Sequence, residues 1–368
     1  MTITRRDFSK LGTWALAVNA LPSTLLRAQE GQRKIGYCVI GLGRIADHFL
    51  RGVAQCSTSK ITGLVSGHRE KAEKIAAQYG VPASSIYSYE DMDRFRDNKS
   101  IDAVYVALPN SMHAEYTIRS AKAGKHVLCE KPMSVSVAEA EAMIAACKTN
   151  NVKLMIAYRL HYEPITLKTI KLIRDGAIGK VEAIDSANGF NIAPNEWRST
   201  HALAGGGPLM DVGIYCLNAT RYLTGEEPTA FTAVATTDSK DPRFQGVEED
   251  LAWTERFPSG AVASCTTTYG ASMSSYIKVY GSKGMLEFTN FNYAGQRLTA
   301  TYRTEKGAPV TNIDESTTVA DPSHFVNELD HFSHCIIDNQ APKTAGEEGL
   351  KDMKYIQAIY RSAGITMG

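Results

Sequence analysis

Two short stretches carry residue types that together can move a proton and a pair of electrons. In Glu130-Lys131-Pro132 a lysine stands directly before a proline, which holds its backbone extended rather than helical. The second stretch is Gly205-Gly206-Gly207-Pro208-Leu209-Met210-Asp211-Val212-Gly213-Ile214-Tyr215. If residues 208–223 are helical, Asp211 and Tyr215 lie four apart and share one face. Oxidising a hydroxyl requires a base that takes the O–H proton while hydride leaves for an acceptor. A tyrosine of pKa about 10 is a poor base at neutral pH, but an ammonium beside it favours the ionised form. Lys131 next to Tyr215 would make such a pair, with Asp211 binding a neighbouring substrate hydroxyl or orienting the base. Singly, each residue also has a plainer role: surface lysine, core aromatic, acidic start of a helix.

The acceptor is suggested by Gly41-Leu42-Gly43-Arg44-Ile45-Ala46, a G-x-G-x-x-A placed between a strand pattern and a helix pattern. Gly41 and Gly43 permit a tight turn and close backbone approach to a pyrophosphate, which then meets a helix N-terminus at Arg44 and Ile45. A site for NAD usually places a carboxylate roughly 20 residues further on, against the adenosine ribose. Here the second strand runs into Ser66-Gly67-His68-Arg69-Glu70-Lys71. No acid stands at the ribose position, and Ser66, Gly67, Arg69 and Lys71 suit a 2′-phosphate, so the expected cofactor is NADP. Arg44 would pack along the adenine. Leu108 ends the third apolar run, Asn110 and His113 follow it, and Glu130 follows the next run, all at the carboxyl edge where a nicotinamide would lie.

The elements that must position these groups are legible in the periodicity. Residues 34–40, 61–65, 102–108, 126–129 and 152–157 are short apolar runs of buried parallel strands. Between them 44–56, 69–79, 112–123 and 136–150 read as helices, the last opened by a Ser136–Glu139 capping box. The order predicts a doubly wound α/β Rossmann domain over 33–157. From about 181 the texture changes. Runs at 228–237, 249–257, 261–269, 275–280, 284–289 and 297–304 predict an open, largely antiparallel sheet. The second domain, 158–368, is thus α+β and carries substrate and oligomer contacts. Its closing helices, 323–338 and 347–363, are long enough to pack back on the first domain.

Composition narrows the class of function. The formal charge is +1 and no basic run is clustered, so no nucleic-acid partner is expected. Seven cysteines without CxxC spacing read as buried small hydrophobes. His324, His331 and His334 fall on one predicted helix without the spacing of a metal site, so no metal is expected. Arg5-Arg6-Asp-Phe8-Ser-Lys10, a modest apolar run and Leu26-Arg27-Ala28 form a twin-arginine export leader over 1–28, with cleavage near Ala28. That route carries folded proteins to the periplasm by the export machinery. No stable membrane association follows cleavage.

With these motifs in place the chain resembles the Gfo/Idh/MocA oxidoreductase family. The resemblance runs through GLGRIADHFL (41–50), LVSGHREKAEKIAAQYGV (64–81), DAVYVALPNSMHAEY (102–116) and AGKHVLCEKPM (123–133). It continues through AYRLHYEP (157–164), LAGGGPLMDVGIYCLNATRYLTGEEP (203–228) and GEEGLKDMKYIQAIY (346–360). Within the family it is similar to the exported glucose–fructose and aldose–aldose oxidoreductases. Only residues 29–33 separate leader and first strand, which favours the shorter aldose–aldose type over enzymes with a long N-terminal arm. The resemblance implies Lys131 and Tyr215 as the catalytic pair and Asp211 as a substrate carboxylate. It implies Arg159, Trp197 and Arg198 near the cofactor, His161 near cofactor or sugar, and Tyr162 near the sugar. It further implies C1 oxidation of an aldose to its lactone, return of the hydride from tightly bound NADPH to a second sugar, and a homodimer or larger homo-oligomer. Asn191, Glu196 and His201 are candidates for selecting sugar hydroxyls. A sugar or cyclitol dehydrogenase releasing its cofactor, a nicotinamide-using glycoside hydrolase and a sugar sensor on the same fold remain alternatives.

Overall fold

In the computed structural model residues 33–367 are described, apart from 245, 292, 294 and 318–322. The export leader expected at 1–28 lies outside the described residues. Six strands form the first sheet: β1 (Ile35–Ile40), β2 (Ser59–Val65), β3 (Ile86–Tyr87), β4 (Ala103–Val106), β5 (His126–Glu130) and β6 (Leu154–Ala157). All pair in parallel in the order β3-β2-β1-β4-β5-β6. Every residue of β1 is buried, because helices cover both faces of the sheet, and this is why its sequence is apolar without alternation. Helices Arg44–Val53, Arg69–Tyr79, His113–Lys122 and Val137–Thr149 link the strands. Ser136 caps the last of these by accepting from the Glu139 amide at 3.2 Å, while Glu139 reaches back to the Val135 amide. Both limbs of a capping box are present, the second displaced by one residue.

The second sheet has eight strands in the order β14-β13-β12-β11-β7-β10-β9-β8. They are β7 (Val181–Gly189), β8 (Ala230–Thr236), β9 (Asp250–Arg256), β10 (Val262–Thr268), β11 (Tyr276–Gly281), β12 (Gly284–Thr289), β13 (Arg297–Tyr302) and β14 (Thr311–Ser316). All pairings are antiparallel except β7–β10. Ile184, Trp253, Cys265, Val279, Leu286 and Phe288 face inward and are buried, while Val234, Val262, Tyr280 and Met285 on the other face are exposed. Such one-sided alternation is what a sheet covered on a single face requires. Three strands, β3, β7 and β14, and helix Pro164–Arg174 were not expected from the sequence. β7 reads VEAIDSANG, poor in β-formers; its place between β10 and β11 is decided by packing.

The chain from Ile35 to Gly368 is one compact unit. Phe325, Leu329 and Phe332 of helix Ser323–Ile337 share a core with Tyr37, Phe49 and Tyr105 of the first sheet. Ser333 Oγ lies 3.0 Å from Tyr37 Oη and 2.8 Å from Ser59 Oγ. Helix Gly346–Ser362 puts Asp352 (0 % exposed) against Arg221, whose guanidinium also meets Glu227 at 2.6 Å and Glu348 at 2.9 Å. Thus RYL-x-GEEP and GEEGLKD, far apart in sequence, meet as one ion network around the buried Arg221–Asp352 pair. All seven cysteines are buried.

Candidate active site

The carboxyl ends of β1, β2, β4 and β5 open into a cleft of about 1400 Å³, closed from the other side by residues 188–193 and 196–198, by Asp211, Val212 and Tyr215, by residues 273–276 and by residues 289–291 and 293. Gly41 leaves β1 with φ +89°, and a Cβ there would stand 2.5 Å from the Ala107 carbonyl oxygen, so only glycine fits. Gly43 has open space where a Cβ would be, leaving room for a ligand to approach the backbone. Helix Arg44–Val53 begins at Gly43 without a side-chain cap, so its first N–H groups are available to an anion. These features fit a dinucleotide pyrophosphate. Arg44, Ile45, Ser66, Gly67 and Lys71 line the same part of the cleft. Ser66 Oγ accepts from the His68 amide at 3.0 Å. Arg44 is exposed and reaches across to Glu196 at 3.1 Å.

Lys131, Asp211 and Tyr215 converge deeper in. Lys131 Nζ donates to the Asp211 main-chain oxygen at 2.6 Å and to Asp211 Oδ1 at 3.1 Å, and lies 4.8 Å from the centre of the Tyr215 ring. The Arg159 guanidinium also stands over that ring, at 5.2 Å. Burial alone would depress the Lys131 ammonium, but Tyr215, Asp211 and Glu130 raise its pKa above the usual lysine value. Burial pushes the Asp211 carboxyl up, yet Lys131 and Arg198 outweigh it and hold the group at about 2. The other oxygen, Oδ2, accepts from Tyr269 Oη at 2.8 Å and from Arg198 Nε at 3.1 Å. Glu130, buried at the end of β5, accepts from Tyr105 Oη at 2.5 Å and from the Lys131 amide at 3.2 Å.

The start of the Asp211 turn is clamped from behind. Glu248 accepts from the Gly207 amide at 2.9 Å, the Leu209 amide at 3.2 Å and Tyr360 Oη at 2.8 Å. A Cβ on Gly207 would come within 2.3 Å of the Glu248 carbonyl oxygen, so the close approach explains that glycine. The expected helix over 208–223 is in fact a π turn, Leu209–Gly213, running into helix Ile214–Thr224.

The structure also redistributes some expectations. Leu108, Asn110, Glu130, Arg159, Trp197 and Arg198 line the cleft, as do Asn191 and Glu196. Five expected residues do not. Arg69 commits its guanidinium to Glu73 at 2.8 Å and to the Ile86 carbonyl at 3.1 Å, since acceptors on its own helix and on β3 are within reach. His113 is fully buried, its ring nitrogens 2.8 Å from the Pro132 oxygen and 2.9 Å from the Leu108 oxygen; it braces the loop behind Lys131. Tyr162 is packed inward, Oη 3.2 Å from Thr344 Oγ1, because the Arg159–Tyr162 turn directs it at the core and not the sugar. His161 bonds Asn218 Oδ1 at 2.8 Å behind the catalytic helix. His201 does not line the cleft either.

Residues not anticipated include Tyr269, which ends an expected strand, and Tyr293, which stacks on His48 at 4.1 Å and on the Arg159 guanidinium at 4.6 Å. Burial and the neighbouring Tyr215 raise the Tyr293 phenol to about 12. Nothing in local sequence marks either residue.

Residues 35–158 match the oxidoreductase family with an NAD-binding Rossmann fold, and residues 166–287 match the Gfo/Idh/MocA C-terminal domain. Aldose–aldose oxidoreductase from Caulobacter crescentus, solved with glycerol, is 46 % identical and superposes with a TM-score of 0.85, over 90 % of this chain and 98 % of that one. The NADP-dependent D-xylose 1-dehydrogenase of Haloarcula marismortui is 31 % identical over 89 % of this chain and 91 % of its own. Levoglucosan dehydrogenase, solved with NADH and levoglucosan, shares the fold with a TM-score of 0.80 at 23 % identity, over 90 % of this chain and 98 % of its own. The uncapped glycine turn, the Lys131–Asp211–Tyr215 cluster and both matched regions lead to one conclusion: the chain belongs to the Gfo/Idh/MocA oxidoreductase family.

Proposed function

We propose that the chain is an exported NADP-dependent sugar oxidoreductase that oxidises an aldose at C1 to its lactone and passes the electrons to a second sugar, which leaves as an alditol. The observation carrying this reading is the convergence of Lys131, Asp211 and Tyr215 at the end of β5, in one cleft with the glycine turn. When bound, the nicotinamide supplies a two-electron acceptor and donor beside these groups. Gly41, Gly43 and the first turn of helix Arg44–Val53 hold the pyrophosphate. Ser66 and Lys71 receive the 2′-phosphate, where an NAD site would carry an acid.

Tyr215, acting as the base, takes the proton of the anomeric hydroxyl as the C1–H electron pair departs with its hydrogen, and C1–O becomes the lactone carbonyl. Lys131 and Arg159 stand over the ring, where their positive charge offsets negative charge at the base during proton transfer. Asp211, held ionised, accepts from a neighbouring sugar hydroxyl and fixes C1. In the second half, Tyr215 returns the proton to the carbonyl oxygen of an open-chain aldose as its C1 receives hydride. Two aldoses thus give one lactone and one alditol, with no electrons or protons left over. That balance suits a protein loaded with nucleotide before export.

The xylose dehydrogenase relative favours a second reading, oxidation alone with NADPH released. One experiment separates them. The purified protein, reduced by an aldose, is freed of excess sugar and given a second one. Loss of the reduced-nicotinamide absorbance without added nucleotide supports the two-sugar cycle; purification free of nucleotide refutes it. Tyr215→Phe is expected to abolish reduction by sugar with NADP still bound. For export, Arg5-Arg6→Lys-Lys should leave the protein in the cytoplasmic fraction, and unchanged periplasmic recovery would refute the leader. The exposed sheet face bearing Val234, Val262, Tyr280 and Met285 is proposed to join copies of the chain, and a monomer in sedimentation would refute that.

A further inference from the structure

The turn that carries Asp211 is wider than an α-helix, and its carbonyls are held from outside. The Ile214 amide bonds five residues back, to the Leu209 oxygen, the mark of a π turn, which tends to occur at functional positions. Three carbonyls of this stretch accept from side chains of three other elements. Thr267 Oγ1 of β10 reaches the Pro208 oxygen at 3.3 Å, Lys131 Nζ the Asp211 oxygen at 2.6 Å, and Asn188 Nδ2 of β7 the Val212 oxygen at 3.0 Å.

The Asp211 and Val212 carbonyls are consecutive, so whatever fixes the second restricts the orientation of the first. Lys131 is therefore held, besides its pairing with the Asp211 carboxylate, by a main-chain acceptor whose direction depends on the Val212 peptide. Asn188 is well placed to set it. It is 8 % exposed and sits near the end of β7, which is paired on both sides, to β10 and to β11. A carbonyl can only accept, so the amide nitrogen of Asn188 must face it.

We infer that Asn188 is a positioning residue for the catalytic pair, locking the π turn so that the Asp211 carbonyl holds Lys131 over Tyr215. This rests on the reading of Lys131 and Tyr215 given above. It assigns to β7, a strand without local sequence signal, the task of tying the second sheet to the reacting groups.

The test is Asn188→Asp, which keeps size and shape but replaces the donor by a carboxylate. Ionised, the carboxylate repels the Val212 oxygen; protonated, its O–H can donate there. In single-turnover reduction of bound nucleotide by an aldose, the rate is expected to fall roughly 10- to 100-fold at pH 8. The deficit relative to wild type should shrink as the pH is lowered, while half-saturation by sugar stays within about twofold and nucleotide content is unchanged. Asn188→Ala should show a loss that does not vary with pH, and serves if the aspartate variant does not fold. A variant-to-wild-type ratio for Asn188→Asp that is flat with pH would overturn the inference. So would an effect confined to half-saturation, which would make Asn188 a sugar contact, or wild-type rates in Asn188→Ala. Tyr215→Phe and Lys131→Met keep the outcomes apart: if they retain turnover the reading of the pair fails, and if they lose it while both Asn188 variants are normal, only this inference does.

Discussion

Glu255→Gln should stabilise the protein, and increasingly so as pH rises. Glu255 is 2 % exposed on β9, behind the catalytic helix. Its oxygens receive Thr220 Oγ1 at 2.7 Å and Trp253 Nε1 at 2.7 Å. Thr220 Oγ1 also lies 2.8 Å from the Leu217 oxygen, and one hydroxyl hydrogen cannot serve both. A protonated Glu255 resolves the conflict by donating to Thr220, which then donates to Leu217. Burial is the main cause lifting this carboxyl to about 7; Thr220, Trp253 and Arg221 pull it down, and Asp352 adds to the lift. The ordinary value is 4.5, so between 4.5 and 7 the folded chain holds a proton that the unfolded chain has released. Stability therefore falls as pH rises through this window, by about 3 kcal/mol at roughly 1.4 kcal/mol per pH unit. A neutral glutamine donates to Thr220 in the same way and removes that loss. Urea unfolding of both proteins at pH 5 and pH 8 would show it: little difference at pH 5, and a gain for the variant on the order of 3 kcal/mol at pH 8. A variant that is equally or less stable at pH 8 would refute the argument.

Two further perturbations probe the frame and the cofactor. Arg221→Ala leaves Asp352 buried without its cation and should cost about 3–5 kcal/mol; a change under about 1 kcal/mol in thermal or urea unfolding would mean the network behaves like surface pairs. Lys71→Ala should weaken NADP roughly tenfold, the worth of a hydrogen bond to a charged group, and leave NAD unaffected in calorimetric titration. Equal weakening of both would remove Lys71 from the 2′-phosphate.

The first domain was readable because its signals are local. A glycine turn after an apolar strand, a run without alternation and a Ser136–Glu139 cap each need only a few neighbours to act. The site was readable where a motif and its backbone setting coincide, as at Gly41 to Ile45 and at Lys131, Asp211 and Tyr215. It was not readable where a side chain chooses between competing partners. Arg69 is a flexible chain with a nearer carboxylate on its own helix, and Tyr162 belongs to a turn whose rotation is set by what lies beneath. Tyr269 reaches Asp211 from beneath and Tyr293 lines the cleft, from strand-end and loop positions that look like any other.

From the sequence alone came the nucleotide turn, the alternation of strands and helices, the missing acid at the ribose position and the residue types needed for proton and hydride movement. These depend on backbone conformation and on side-chain chemistry, which are encoded within a turn or two. Tertiary structure decided that Asp211 would offer Lys131 its carbonyl as well as its carboxylate, through a turn widened to a π register. It also placed β7 at the centre of the second sheet, with Asn188 against that turn. Those contacts join residues dozens of positions apart, and their geometry follows from packing across the whole core.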